Sequence, residues 1–210
     1  LVLSVTLSHL MADDPSSAMR LLDEQAHRLE GELTTPSLWL LNRIADTLMY
    51  QGRGAEAHLH YERHWEKLRK STLYRAKPLS VLCNWFRARC AIAAATTLDH
   101  PALLIAERSA AALERMGRSD SDCWALIARA GIASRRQQLV LARELLDQAV
   151  FRCESSQMKL FATYARHNRG LIERGDQSQE RELAAAQLAA QGIAAPERWI
   201  ATYAPGFVKP

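Results

Sequence analysis

The sequence predicts an all-α protein of about five antiparallel helix pairs with a short closing helix, and three observations predict it. Apolar residues recur at three- and four-residue spacing through most of the chain, the pattern of amphipathic helices. No alternating run of β-branched residues bounded by turn residues occurs, so no strand is expected. Short breaks carrying Pro, Gly, Asp or Thr interrupt the pattern at intervals that suit ordinary helices joined by tight turns.

The elements follow in order. Residues 1–11 (LVLSVTLSHLM) are apolar from Leu1 onward. No basic region precedes them and no small-residue cleavage site follows, and a membrane span needs about 20 apolar residues. The stretch reads as the surviving end of a helix in a larger protein. Asp13-Asp14-Pro15 offers a capping acid and a first-turn proline, so a helix over 15–30 ends at Gly31. Thr35-Pro36 opens a helix over 37–51, and Gln51-Gly52-Arg53-Gly54 separates it from 54–75. Lys77-Pro78 introduces 79–97, and Asp99-His100-Pro101 introduces 101–116. Gly117 to Asp120 precede 121–134, with 136–153 and 157–173 close behind. Gly175-Asp176 precedes 177–191, and Gly192 to Pro196 precede 196–203, which Pro205-Gly206 stops. No Ser/Gly-rich or Pro-rich linker divides the chain, so residues 1–210 form one domain.

A period underlies the helices. Ala45 and Ala57 lie twelve apart across a helix–turn–helix, as do Ala94 and Ala106, and Ala130 and Ala142. Tyr61, Ala110 and Leu146 follow the second alanines by four; His64, Leu113 and Ala149 follow by seven. Small residues at the paired points let two helices approach where they cross. This pattern resembles the tetratricopeptide (TPR) repeat, with Thr6, Ala18 and Leu22 fitting a truncated first copy and Gly170 a fifth. The spacings of 39, 49 and 36 between Ala18, Ala57, Ala106 and Ala142 depart from the roughly 34 of an ideal repeat. The tail, AAAQLAAQGIAAPERWIATYAPGF from Ala184 to Phe207, is similar to the closing segment of helical repeat regions in large bacterial signalling proteins. In those, a protein kinase or nucleotide-binding module precedes the repeats. The resemblance implies an α-solenoid with a regulatory or interaction role. A terminal repeat needs its apolar end closed, so Trp199, Ile200, Tyr203 and Phe207 are expected to fold over 177–191.

The resemblance also implies a ligand surface, because first helices of successive TPR pairs line a concave groove. Carried over, the groove positions are Trp39, Asn42, Asp46 and Met49, then Trp124, Ile127 and Ser134, then Tyr164, His167 and Arg174. Trp39 and Trp124 fit simple core burial as well. Ala94 contributes only Ala88, Ala91 and Ala95, a floor without handles. The expected partner is a protein, a peptide or a neighbouring domain of the same chain, and the alternative is a small effector in the groove.

Charge singles out a second surface. The chain carries +4 overall, yet residues 61–90 hold eight basic residues against Glu62 and Glu66. Arg63, Lys67, Arg69, Lys70, Arg75 and Lys77 form a candidate docking patch, with Trp65 and Tyr74 interleaved. Such a mixture serves nucleic-acid binding through phosphate neutralisation and stacking, but acids four residues before bases fit a salt-bridged surface better. His58, His60 and His64 resemble a metal cluster, but only His60 and His64, four apart, share a helical face, so a third ligand from elsewhere is needed, and the HExxH pattern is not present. No phosphate loop, GxSxG or dinucleotide fingerprint occurs, so neither catalysis nor a cofactor is expected. Cys83, Cys90, Cys123 and Cys153 are spaced as core thiols of a cytoplasmic protein.

Overall fold

The computed structural model describes residues 2–173 and 178–207. The protein is all-α. Among the described residues it has no strand and twelve α-helices: α1 Val2–Met11, α2 Pro15–Asp23, α3 Thr35–Tyr50, α4 Gly54–Lys70, α5 Thr72–Arg75, α6 Lys77–Ala94, α7 Ala102–Glu114, α8 Ser119–Arg135, α9 Leu139–Ser155, α10 Lys159–Ile172, α11 Ser178–Ala189 and α12 Pro196–Tyr203. A 3-10 turn spans Ala26–Leu29. Arg174 and the break at Gly175-Asp176 lie outside the described residues.

Most boundaries fall where the breaks placed them. Asp14 caps α2 by accepting from the Ser17 backbone N–H at 3.0 Å, and Thr34 forms a capping box with Ser37 at the start of α3. Two expected helices are divided. The segment 15–30 leaves α-geometry after Asp23 and tightens into the 3-10 turn. The segment 54–75 breaks at Ser71, which is extended. Its hydroxyl donates to the Leu68 carbonyl at 2.6 Å and accepts from the Tyr74 N–H at 3.4 Å, closing α4 and opening α5.

Five helix ends share one closing turn. Asp13, Gly52, Gln137, Gln157 and Gly192 all have φ between 58° and 86°. The residue after each donates its N–H five residues back, as in Arg53 to Leu48 and Gln138 to Ala133, both at 2.9 Å. This is the Schellman arrangement, which satisfies the last carbonyls of a helix and turns the chain sharply. These turns bring α2 against α1, α4 against α3, α9 against α8, α10 against α9 and α12 against α11. α3 packs on α4, α6 on α7, α8 on α9 and α10 on α11, while α3 also touches α6, and α6 touches α8.

Small residues set the crossings. Ala57, Ala106 and Ala142 are all 0% exposed, which meets the burial expected of them, and Ala18, Ala45 and Ala130 are equally enclosed. Where α4 meets α6, a Cβ on Gly54 would stand 2.3 Å from the Ala93 carbonyl oxygen, so only glycine fits. The core falls into two clusters, one around Leu41, Tyr61 and Trp65, the other running from Trp85 through Leu113 and Cys153 to Ile200. All four cysteines are buried and free. Among the described residues no helix is long and apolar enough to cross a membrane.

The C-terminal segment packs on α11 as expected and reaches further. α12 touches α11, but it also packs on α3, α6 and α10. It is a strap that crosses α3 and α6 as well as the last pair, α10 and α11. The reason is chemical: the aromatic and charged partners that Trp199 and Tyr203 need stand on α6 and α10.

Candidate functional site

The strap begins where the chain ends meet. The Ala194 N–H donates to the Met11 carbonyl at 2.8 Å. Arg198 pairs with Asp13 at 2.7 Å, and the Tyr50 hydroxyl donates to the same carboxylate oxygen at 2.8 Å. From there α12 runs into a bed of aromatic rings. Trp85 of α6 stacks on Trp124 of α8, their centroids 5.5 Å apart, and Phe161 of α10 sets its edge against both. Tyr164 extends the bed and stacks on Tyr203 at 6.0 Å. Trp199 donates its indole N–H to the Tyr164 hydroxyl at 2.7 Å. Burial pushes that phenol well above its ordinary pKa, so it keeps its proton.

At the centre stands Arg89, which is 0% exposed. Its guanidinium bonds Asp46 of α3 at 2.9 Å and the Thr202 carbonyl at 3.2 Å. The same plane lies 4.2 Å from the Phe86 ring centroid and 5.0 Å from that of Tyr203. Asp46 is also fully buried and accepts a second bond from Arg43 at 2.8 Å. A buried charge persists only when it is paired in this way. Arg89 therefore reads the strap's main chain while Asp46 holds its charge.

Two further side chains read strap carbonyls. Asn168 donates to Ala204 at 3.1 Å and Ser134 to Gly206 at 3.1 Å. The backbones meet directly at Gly131 and Gly206. A Cβ on Gly131 would come within 2.4 Å of the Pro205 carbonyl oxygen, and Gly206 at φ 113° would meet Gly131 itself at 2.7 Å. Mid-helix glycine costs about 1 kcal/mol relative to alanine, and here that cost permits close approach of the strap. The inner faces of α6, α8 and α10 thus hold a peptide segment by its carbonyls, its aromatic side chains and its backbone surface.

The residues expected in a groove divide accordingly. Asp46, Tyr164 and Ser134 serve the strap directly or through Arg89. Trp124 contributes to the aromatic bed and Ile127 is 1% exposed within the core. Asn42 accepts from the Tyr61 hydroxyl at 3.4 Å between α3 and α4, and Met49 packs in the same cluster. Trp39 is half-buried, and His167 lines a cavity beside the strap. Arg89, Trp85 and Asn168 were not among them. The signal for Arg89 was present: of the two arginines in VLCNWFRARCAIAAA it is the one that follows Trp85 by four residues and so shares its helical face.

The basic patch is less continuous than its sequence. Arg87 pairs with Glu62 at 2.6 Å and lies over Trp65. Lys67 donates to the carbonyls of Leu29, Glu30 and Gly31, the last turn before α3. Arg69 and Lys70 share Glu66 at 3.3 and 3.5 Å. Arg63, Arg75 and Lys77 are exposed. Exposed pairs of this kind contribute about 0–1 kcal/mol. Reversing Arg69 and Lys70 to Glu together is therefore expected to change the free energy of unfolding by about 1 kcal/mol or less, read by urea denaturation. Salt-sensitive DNA or RNA binding, abolished by that reversal in a gel-shift assay, would instead make the patch a nucleic-acid surface. Among the histidines, burial together with the neighbouring His64 pushes His60 down to about 4, so it is neutral. No group of three or more His, Cys, Asp or Glu able to hold a metal occurs among the described residues.

No family model, no curated protein and no solved structure matches this chain. The chemistry of the surface beneath the strap is what remains to be read. That face offers hydrogen-bond donors to carbonyls, a row of aromatic rings and one compensated cation.

Proposed function

We propose that the chain is a non-catalytic protein–protein interaction or regulatory module within a larger signalling protein, built as a degenerate TPR-like α-solenoid of about five helix pairs. Its inner face is a peptide-binding groove occupied by the chain's own residues 194–207. One observation carries this reading: Arg89, Ser134 and Asn168, from three different helices, each donate to a main-chain carbonyl of one terminal segment. Donors aimed at carbonyls recognise a backbone, and the aromatic bed beneath them supplies pockets for Trp199 and Tyr203, as anchors do at protein interfaces. The buried alanines at the crossings and the contacts of α3 with α6 and α6 with α8 support the repeat architecture.

The test weakens the strap and leaves the groove intact. Gly206→Val places a side chain at φ 113° and against Gly131. The full chain carrying it is expected to bind a fluorescent peptide of residues 194–207 at least about tenfold more tightly than the parent does, since the parent's groove is filled in cis. The same peptide bearing Gly206→Val should not bind. Equal, negligible binding by both proteins would show that the inner face is closed core and would sink the reading.

A further inference from the structure

A cavity of about 330 Å³ lies between α2, α3 and α4, a volume at the lower end of the range for small-molecule sites. Its apolar lining comes from Met19 of α2, Ile44 and Leu48 of α3, and Leu59 of α4, which is 60% exposed. A leucine so exposed beside a hollow offers apolar surface that a guest would remove from water. None of the described strap residues lines this cavity.

The charges around it divide into those already paired and those left over. Arg53 lies close enough to feel the Asp23 charge, but all three of its guanidinium nitrogens are bonded to Glu56 and Gln51, at 2.7 to 2.9 Å. His60 also lines the cavity and is neutral, because burial disfavours its charged form. Asp23, at the end of α2, and Arg63, on α4, remain. Both line the cavity and both are exposed, and neither forms an ion pair or a hydrogen bond among the described residues. They stand too far apart to pair with each other. Two unpaired charges of opposite sign on one apolar hollow match a molecule that carries both signs. A monoacid would meet Arg63 and leave Asp23 to water, and a monoamine would do the reverse.

From this arrangement we infer that the cavity is a binding site for a small zwitterion with an apolar body, of the α-amino acid class, whose carboxylate meets Arg63, whose ammonium meets Asp23 and whose side chain lies against Leu48 and Leu59. The site is independent of the peptide groove beneath the strap, since it needs neither the strap nor an outside peptide.

L-phenylalanine is the probe, compared with phenethylamine, which lacks the carboxylate, and 3-phenylpropanoate, which lacks the ammonium. Each is titrated into the full chain at neutral pH and read by calorimetry and by ring-current shifts of the Leu48 and Leu59 methyl resonances. Phenylalanine should saturate at about millimolar concentration or below. Each analogue should bind about threefold to tenfold more weakly, as the loss of one charge contact near a surface predicts. Arg63→Gln should lower the affinity for phenylalanine by a similar factor but not that for phenethylamine. Asp23→Asn should lower it likewise but not the affinity for 3-phenylpropanoate. Both side chains are exposed and unpaired, so the variants should fold as the parent does. Absence of saturable phenylalanine binding, analogues that bind as tightly as phenylalanine, an affinity that either substitution leaves unmoved, or a loss shared by the analogue lacking the matching charge would each overturn the inference.

Discussion

Replacing Asp46 with alanine is expected to cost about 3–5 kcal/mol of stability, a loss measured by urea denaturation. The figure follows from what remains behind. Arg89 is 0% exposed and Asp46 is the carboxylate it bonds. Breaking a buried ion pair by removing one partner strands the other charge, and that is the large term; the net worth of the intact pair is much smaller. Arg43 also loses a bond, but its side chain is 18% exposed and water can take over. The total stability of such a domain is typically about 5–15 kcal/mol, so the variant should be marginal at ordinary temperature. Asp46→Leu combined with Arg89→Met should recover most of the loss, because it removes both charges and keeps the volume. The double variant would still lack the bond to Thr202, and its strap should be looser than the parent's. If Asp46→Ala cost less than about 1 kcal/mol, water would have to reach Arg89, and the seat of the strap would be wet.

That arginine also marks the limit of what local sequence patterns convey. Helix positions were legible because they rest on nearby residues: Asp14 before Pro15, Thr35 before Pro36, Gly52 in the break after Gln51. The turns at Gln137 and Gln157, which adopt positive φ without glycine, lie a residue or two beyond the breaks that the apolar period gave, because no Gly or Pro marks them. The alanines at helix crossings were legible for the same reason, since a small residue is needed wherever two backbones come close. Charge is different. Residues 61–90 look like one basic stretch, yet Arg89 faces inward, Arg87 folds onto Glu62 and Trp65, and Lys67 caps carbonyls 36 to 38 residues away. Which way a cation points depends on distant partners that no local spacing encodes. The register that made α6 a floor of alanines missed Trp85 and Arg89 by one helical position. Gly131 was the other available clue. A glycine inside a helix that does not break usually marks a close backbone approach, and here the approaching backbone is Pro205-Gly206.

The strap itself gives the last expected result. Trp199 and Tyr203 stand four apart on α12 and point inward together, as their spacing predicts, with ring centroids 4.9 Å apart. Trp199 is 6% exposed and spends its only side-chain donor on Tyr164. Truncating a buried aromatic of this size typically costs about 3–5 kcal/mol, and the Tyr164 hydroxyl would lose its partner besides. For a chain of this length each kcal/mol lowers the melting temperature by about 2–4 °C, so Trp199→Ala should melt about 10 °C below the parent. Trp199→Phe separates the contributions: it keeps most of the apolar contact and loses only the N–H, and should cost about 1 kcal/mol. The alanine variant should also associate. Without Trp199 the strap loses its largest anchor, and Trp85, Phe161 and Tyr164 together form an apolar strip of the kind that pairs with a second molecule. Light scattering would register this as a concentration-dependent rise in mass, which added peptide 194–207 should reverse. A Trp199→Ala protein as stable and monodisperse as the parent would mean that the aromatic bed holds itself together, with the strap resting on it and contributing little.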